Sequence, residues 1–235
     1  TYVFGRGYGQ DVIDETTETF GSSSDALSFL ADVAPEDVVF VRSGRDLIIE
    51  ISGTTDEIRI IDQFKSVDST TVDGRKRVEA FIFSDGTTWT ATDVEARTLA
   101  AQQTAGNDSI FGYQSSDVLD GGAGNDSLQG NGGADTYVFG RGYGQDVIDE
   151  TANTHGSLTD AIVFKNDVAP EDIIFERQGS DLILKIAGTT DQLTILNQFY
   201  DLDSGSVSGR SRIENFVFSD DTVWTAAEVD RLTLE

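Results

Sequence analysis

The chain has 235 residues, 42 of them acidic and 16 basic, for a net charge of −26, and 38% of it is apolar. That is enough apolar material for one or two packed cores, and the charge repels nucleic acid and anionic lipid. Cysteine and methionine are absent, which excludes disulfides, thiolate catalysis and cysteine-type zinc sites, and no apolar run approaches the roughly 18 residues a membrane helix needs.

From the N-terminus, Thr1 to Glu15 is glycine-rich and recurs unchanged at Thr136 to Glu150, an offset of 135 residues. The same offset carries across 1–100 and 136–235 with no insertion, and about 60 of those 100 positions are identical. A globular module of about 100 residues is thus followed by some 35 residues of another kind, and the whole reads as part of a longer tandem array. Within the module, Ala26 to Leu30, Val38 to Arg42, Leu47 to Ser52, Ile58 to Phe64, Val78 to Phe83 and Thr87 to Trp89 are short runs rich in Val, Ile and Phe, which predict strands. Turn chemistry separates them. Ala34-Pro35-Glu36-Asp37 predicts one helical turn, Ser43 to Asp46 and Ser52 to Asp56 predict hairpin loops, and Ser84 to Thr87 predicts a tight turn. Thr90-Ala91-Thr92-Asp93, and Thr225-Ala226-Ala227-Glu228 in the second copy, have the form of capping boxes opening a short helix.

Between the copies lies the most regular stretch. Asp108, Asp117, Asp126 and Asp135 fall every nine residues, and two places after each comes an apolar side chain: Ile110, Leu119, Leu128 and Tyr137. Gly121-Gly122-Ala123-Gly124-Asn125-Asp126-Ser127-Leu128-Gln129 matches the pattern G-G-x-G-x-D-x-U-x of parallel β-helix repeats at every specified position. Gly142-x-Gly144-x-Asp146-x-Ile148 keeps the internal spacing but follows Asp135 by eleven residues, which predicts the end of the regular roll. Glycines permit tight turns with inward carbonyls, and the three residues around each apolar position form a short strand. Two nonapeptides then complete one coil. Stacking would place Asp108 over Asp126 on one edge and Asp117 over Asp135 on the other, about 4.8 Å apart. Carboxylate and carbonyl oxygens without nitrogen or sulfur donors suit Ca²⁺, which takes 6–8 oxygens at roughly 2.3–2.6 Å. The candidate metal residues are Asp108, Asp117, Asp126, Asp135 and Asp146 with the turn glycines Gly106, Gly122, Gly124, Gly133, Gly142 and Gly144, and a partial site at Asp11.

This stretch resembles the RTX, or haemolysin-type calcium-binding, repeats of secreted bacterial proteins. Gly112-Tyr113-Gln114-Ser115-Ser116-Asp117, with one glycine, is its weakest turn. The flanking modules, from the Val33-Ala34-Pro35-Glu36-Asp37-Val38 turn through Ser43-Gly44-Arg45-Asp46-Leu47 to Phe83-Ser84-Asp85-Gly86-Thr87-Thr88-Trp89-Thr90, resemble the haemolysin-type calcium-binding-protein-related domain. The resemblance implies type I secretion and an extracellular or cell-surface location.

The expected fold is all-β: two β-rich modules flanking a short calcium-binding parallel β-roll, each module ending in a short helix. Its divisions are 1–100, a roll at 101–149, and 150–235, with the second module capping the roll. Enzyme signatures are missing. The one histidine, His155, replaces Phe20 between the copies on a polar loop and reads as a surface residue; no nucleophile elbow, zinc-protease motif or phosphate loop is present. The expectation is a non-catalytic extracellular module that folds when calcium binds after export and serves as a structural spacer, with calcium and neighbouring repeats as its partners. The rival is an adhesin or carbohydrate-binding module on a calcium-stabilised scaffold. It would use Tyr8 and Tyr143, expected to be exposed, with Tyr113 and Tyr200 as further stacking faces for extracellular glycans. Arg75, Arg77, Arg210 and Arg212 would hold an anionic group, although neighbouring acids are the simpler partners for these arginines. Trp89 and Trp224 read as core.

Overall fold

The computed structural model describes residues 1–15, 24–65, 77–150, 159–200 and 212–233. The chain forms two compact units, Thr1–Ala101 and Gln102–Glu235. Among the described residues, no helix is long and apolar enough to cross a membrane.

Unit one holds two four-stranded sheets. The first runs in the order β1 (Tyr2–Phe4), β3 (Asp25–Phe29), β7 (Val78–Ile82), β8 (Thr88–Thr90), and the second β2 (Gln10–Ile13), β6 (Glu57–Ile60), β5 (Asp46–Ile51), β4 (Val38–Ser43). In each sheet the strands nearest the N-terminus pair in parallel, and antiparallel strands close the far side: β8 in the first, β5 and β4 in the second. The sheets meet through Phe40, whose ring packs on Phe81 and Trp89 at 5.9 and 5.5 Å, and Leu27, Leu47, Ile49, Ile60 and Phe81 are wholly buried between them. Helix α1 (Ala91–Ala100) begins where predicted: Thr90 accepts from Asp93 N, and the Asp93 carboxylate takes the Thr90 N–H at 2.8 Å. One strand is shorter than its apolar run predicts. Ile58 to Phe64 is strand only as far as Ile60, because Asp62 takes φ 56° and donates its N–H to Asp46 Oδ1, which turns the chain away from the ladder.

Unit two is built the same way on a longer base. One sheet stacks β9 (Ser109–Phe111), β11 (Ser127–Gln129), β13 (Gln145–Ile148) and β17 (Gln192–Ile195) in parallel, then adds β16 (Asp181–Ile186) and β15 (Ile173–Gln178) antiparallel. The other stacks β10 (Val118–Asp120), β12 (Thr136–Phe139), β14 (Ala161–Phe164) and β18 (Asn215–Val217) in parallel, closed by antiparallel β19 (Val223–Thr225). Helix α2 (Ala226–Leu232) follows, capped by Thr225 and Glu228. Successive strands alternate between sheets, so the chain winds as a β-roll. Its interior is two columns in register: Ile110, Leu128, Ile148 and Ile195 in one, Leu119, Tyr137, Ile162 and Phe216 in the other, each 1% exposed or less.

The nine-residue period ends at Asp135, but the parallel stacking does not. The two extra residues before Asp146 are absorbed by a four-residue β12 and by β13 starting two places ahead of its pairing with β11. The roll therefore passes into the second module without a break, and the predicted end of the roll at that slip is corrected.

Candidate metal centre

The turns between strands place carboxylates in two ladders, one along each edge of the roll. On one edge, Asp126 Oδ1 accepts the Asp108 N–H at 2.8 Å and Asp146 Oδ1 accepts that of Asp126 at 2.9 Å. On the other, Asp135 Oδ1 accepts from Asp117 N at 2.9 Å, Asp160 Oδ1 from Asp135 N at 2.8 Å, and Glu214 Oε2 from Asp160 N at 2.7 Å. Each rung thus gives one oxygen to the backbone of the rung before it. In two rungs the second oxygen is left over: Asp126 Oδ2 and Asp135 Oδ2 are buried with no hydrogen-bond partner among the described residues, whereas Asp108 accepts from Thr104 and Asp117 from Tyr113 N.

Glycine makes room for these oxygens. A Cβ on Gly121 or Gly130 would lie 2.4 or 2.2 Å from the Oδ2 of Asp126 or Asp135. Turn carbonyls crowd in as well, since a Cβ on Gly124, Gly133 or Gly144 would meet Gly106 O, Ser115 O or Gly124 O within 2.3 Å. Gly122, Gly124, Gly133, Gly142 and Gly144 all have positive φ, whereas Gly106 does not.

The electrostatics are those of buried carboxylates that repel one another. Burial first, then the charges of Asp117 and Asp160, push Asp135 up to about 7; burial, with Asp126, Asp191 and Asp120 nearby, does the same to Asp146. Asp126 is raised too, by burial and by Asp108 and Asp120. Burial similarly raises Asp160, and takes Glu214 to about 7. A buried unpaired carboxylate oxygen is costly, and a hard divalent cation removes that cost. The donor set is one carboxylate per turn with backbone oxygens beside it. Among the described residues, no three His, Cys, Asp or Glu side chains converge as a cage. This all-oxygen cradle of glycine turns fits Ca²⁺, and the residues that would hold it are Asp108, Asp126 and Asp146 on one edge and Asp117 and Asp135 on the other. Its chemistry there would be charge neutralisation and cross-linking of stacked turns.

The last turn behaves differently from the rest. Gly142 N and Gly144 N both donate to the Asp191 carboxylate at 2.9 Å. Burial alone would raise Asp191, but those two donors, with Thr189 and Arg141, hold it below the usual range. Arg141 lies alongside, bonded to Asp167 O at 2.9 Å, Ala187 O at 3.2 Å and the Asp172 carboxylate at 2.9 Å. The first copy repeats this arrangement: Gly7 N and Gly9 N hold Asp56, and Arg6 binds Asp32 O, Ser52 O and Asp37. A turn whose N–H groups face a carboxylate, with a guanidinium beside it, supplies its own charges, and Gly5 to Gly9 is such a turn. Asp11 is exposed, whereas its counterpart Asp146 is 2% exposed.

Asp160, Asp191 and Glu214 escape the nine-residue pattern, yet each has an apolar residue two places on: Ile162, Leu193 and Phe216. Asp25, Asp56 and Glu79 repeat this with Leu27, Ile58 and Phe81, and Asp25 N donates to Glu79 at 2.6 Å. That acid-x-apolar pairing was the available signal.

The described glycan candidates differ in exposure and in partners. Tyr8 is 49% and Tyr200 59% exposed, but Tyr113 is 6% exposed. Tyr143, expected at the surface, is half-buried, its ring on Phe139 and its hydroxyl on Asp120, which together with burial raises its pKa. Arg77 pairs with Glu95 at 3.1 Å, and Arg212 with Asp230 at 2.5 Å and Ala226 O. Arg75, Arg210 and His155 lie outside the described residues. Trp89 and Trp224 are half-buried in aromatic clusters with Phe40 and Phe83, and Phe175 and Phe218; Arg97 covers the Trp89 ring at 3.7 Å.

A parallel roll with glycine turns and stacked, uncompensated carboxylates defines a calcium-binding β-roll protein. Residues 104–128 and 111–146 match the RTX calcium-binding nonapeptide repeat, and 46–93 and 181–228 match the haemolysin-type calcium binding protein related domain. The chain thus carries RTX calcium-binding nonapeptide repeats together with two copies of that related domain. It is 29% identical over 124 residues to the iron-regulated protein FrpA of Neisseria meningitidis serogroup C, covering 53% of this chain and 10% of that protein. The chain therefore spans about a tenth of that relative's length. Against the crystal structure of the extracellular lipase LipA from Serratia marcescens, 80% of this chain and 32% of the lipase chain superpose at 13% identity, with a TM-score of 0.27.

Proposed function

We propose that this chain is a non-catalytic, extracellular calcium-binding tandem module, folded by calcium after export and serving as a structural spacer within a larger secreted or surface protein. The observation that carries this is the pair of buried carboxylate oxygens, Asp126 Oδ2 and Asp135 Oδ2, that have no hydrogen-bond partner among the described residues. Where calcium is scarce, neighbouring rungs repel, as the raised values of Asp135 and Asp146 express. Calcium would bind the folded ladder and not the extended chain, so folding and binding are one equilibrium. The second module, from Glu150 on, acts as the cap: its antiparallel strands finish both sheets and bury the columns that a roll of a few coils cannot bury alone.

Circular dichroism during a calcium titration tests this reading. The expected outcome is a gain of β-structure on addition and its loss on chelation. A spectrum indifferent to both ends the proposal.

A further inference from the structure

Each nonapeptide closes one residue after its apolar position, and along the repeats that place is taken in turn by Phe111, Asp120, Gln129 and Val138. An acid stands there once. Asp120 ends β10 and opens the turn that finishes at Asp126, so this turn carries a carboxylate at both ends. The turn stacked on it, Gly140 to Asp146, reaches back to Asp120. The Tyr143 hydroxyl donates to the Asp120 carboxylate, which also takes the Gly122 N–H at 3.1 Å. Gly124 N donates to Tyr143 O at 3.0 Å and ties the same two turns a second time.

Asp120 is half-buried, and a carboxylate so placed would otherwise turn toward water, where its charge is screened. Two donors hold it in place. Its charge is felt by both Asp126 and Asp146. Asp126 Oδ2, buried and without a hydrogen-bond partner among the described residues, lies against Gly121, the residue next to Asp120.

We infer that Asp120 is an additional electrostatic residue of the calcium site on the Asp126–Asp146 rung, and that Tyr143 positions it. Among the described residues no three carboxylates converge as a cage, so Asp120 acts through its field, as a third negative charge beside the two that would hold the ion. Without an ion that charge adds to the repulsion between the turns; with one it adds to the attraction. A field distinguishes ions by their charge, whereas packing does not. The inference rests on the proposed binding of calcium by this ladder.

The test titrates the full chain by calorimetry with calcium and, separately, with terbium, a trivalent ion that takes the same oxygen donors. Asp120→Asn keeps an acceptor for Gly122 N and removes the charge. Its overall binding constant should fall about tenfold for calcium and about thirtyfold for terbium, because the energy of an ion in a fixed field scales with the ion's charge. Glu176→Gln, which removes an exposed charge from the outermost strand β15, should change either constant by less than about twofold. Tyr143→Phe should weaken calcium binding about threefold in the parent and have almost no effect in the Asp120→Asn chain, since the hydroxyl acts through that carboxylate. Equal losses for the two ions, or an Asp120→Asn chain that gains no β-structure in either, would assign Asp120 a packing role and overturn the inference. A loss no larger than that of Glu176→Gln overturns it as well, and a Tyr143→Phe effect of the same size in both backgrounds overturns the positioning role of Tyr143. A parent chain that does not bind calcium sinks the proposed function, and this inference with it.

Discussion

Asp135 concentrates the physical conflict in this molecule. Its side chain is wholly buried, one oxygen serves Asp117 N, and the other has no partner among the described residues. Asp135→Asn should therefore act with opposite signs in two conditions. In calcium, loss of the charged ligand weakens binding by about tenfold or more, read as a shift in the titration midpoint. In chelator at pH 8, removal of a buried charge favours the folded roll by on the order of a few kcal/mol, read as β-structure retained in the dichroism spectrum where the parent chain has lost it. A substitution that merely damaged packing would lower stability in both. The pH dependence has a fixed sign as well. Asp135 and Asp146 stand near 7 when folded, against an ordinary value of 3.8, so the folded chain binds protons that the unfolded chain releases. In chelator, their contribution is fully present below about pH 4 and is lost as pH rises toward 7 and just beyond. Calcium competes with those protons, so its affinity should climb over the same window. A dichroism spectrum in chelator with no more β-structure at pH 4 than at pH 8 would contradict this. Glycines offer a matched pair. Gly144 has φ 92° and no room, a Cβ lying 2.0 Å from Gly124 O, while Gly142 has φ 80° and nothing within 4 Å. Gly142→Ala should cost about 1 kcal/mol for its backbone alone. Gly144→Ala should cost a further 1–3 kcal/mol or so for the clash and also weaken calcium binding.

The elements follow from the sequence in proportion to how local their causes are. The roll was legible because Asp108 to Asp135 repeat every nine residues with an apolar partner at plus two, and those partners are the interior column residues. The caps of α1 and α2 were legible because both partners lie within four residues. Asp160, Asp191 and Glu214 were not, although they obey the same acid-x-apolar rule. Excursions longer than a nonapeptide separate them, and only the register of β14, β17 and β18 returns them to the ladder. The overrun of Ile58 to Phe64 has the opposite cause, a single positive φ at Asp62 inside an apolar run. Arg141 was invisible for a similar reason. Its partners Asp167, Asp172 and Ala187 lie 26 to 46 residues away, and only the fold gathers them around one guanidinium. Arg141→Ala should lower the stability of unit two by about 1–2 kcal/mol, a modest figure because the side chain is partly exposed. Arg141→Lys should recover little, since an ammonium does not reproduce a planar fork aimed at three acceptors. Chemical denaturation in calcium reads both variants.

At the scale of the whole chain, the two units share a cap design but differ in what lies beneath it. Unit two carries a ladder of four rungs along each edge, with Asp191 and Glu214 as the final ones, whereas the described residues of unit one carry the Asp25–Glu79 rung and the Asp56 turn, with Asp11 exposed. Calcium should therefore stabilise them unequally. A ligand that binds only the folded state of one unit raises that unit's stability by about 2.7 kcal/mol at a concentration a hundred times its Kd, and leaves the other unchanged. The chain provides its own reporters, for it has two tryptophans, Trp89 in unit one and Trp224 in unit two, each packed in its unit's aromatic cluster. Trp89→Phe isolates the second signal and Trp224→Phe the first, an aromatic ring being kept in each cluster. On heating in increasing calcium, the fluorescence midpoint of the Trp89→Phe chain should climb, while that of the Trp224→Phe chain moves only by what general screening of a net charge of −26 contributes. Magnesium at equal concentration supplies that screening without filling an all-oxygen cradle well, and so sets the baseline. Equal calcium shifts in the two chains, above that baseline, would place an ion in unit one as well and assign Asp11 a role that its exposure argues against.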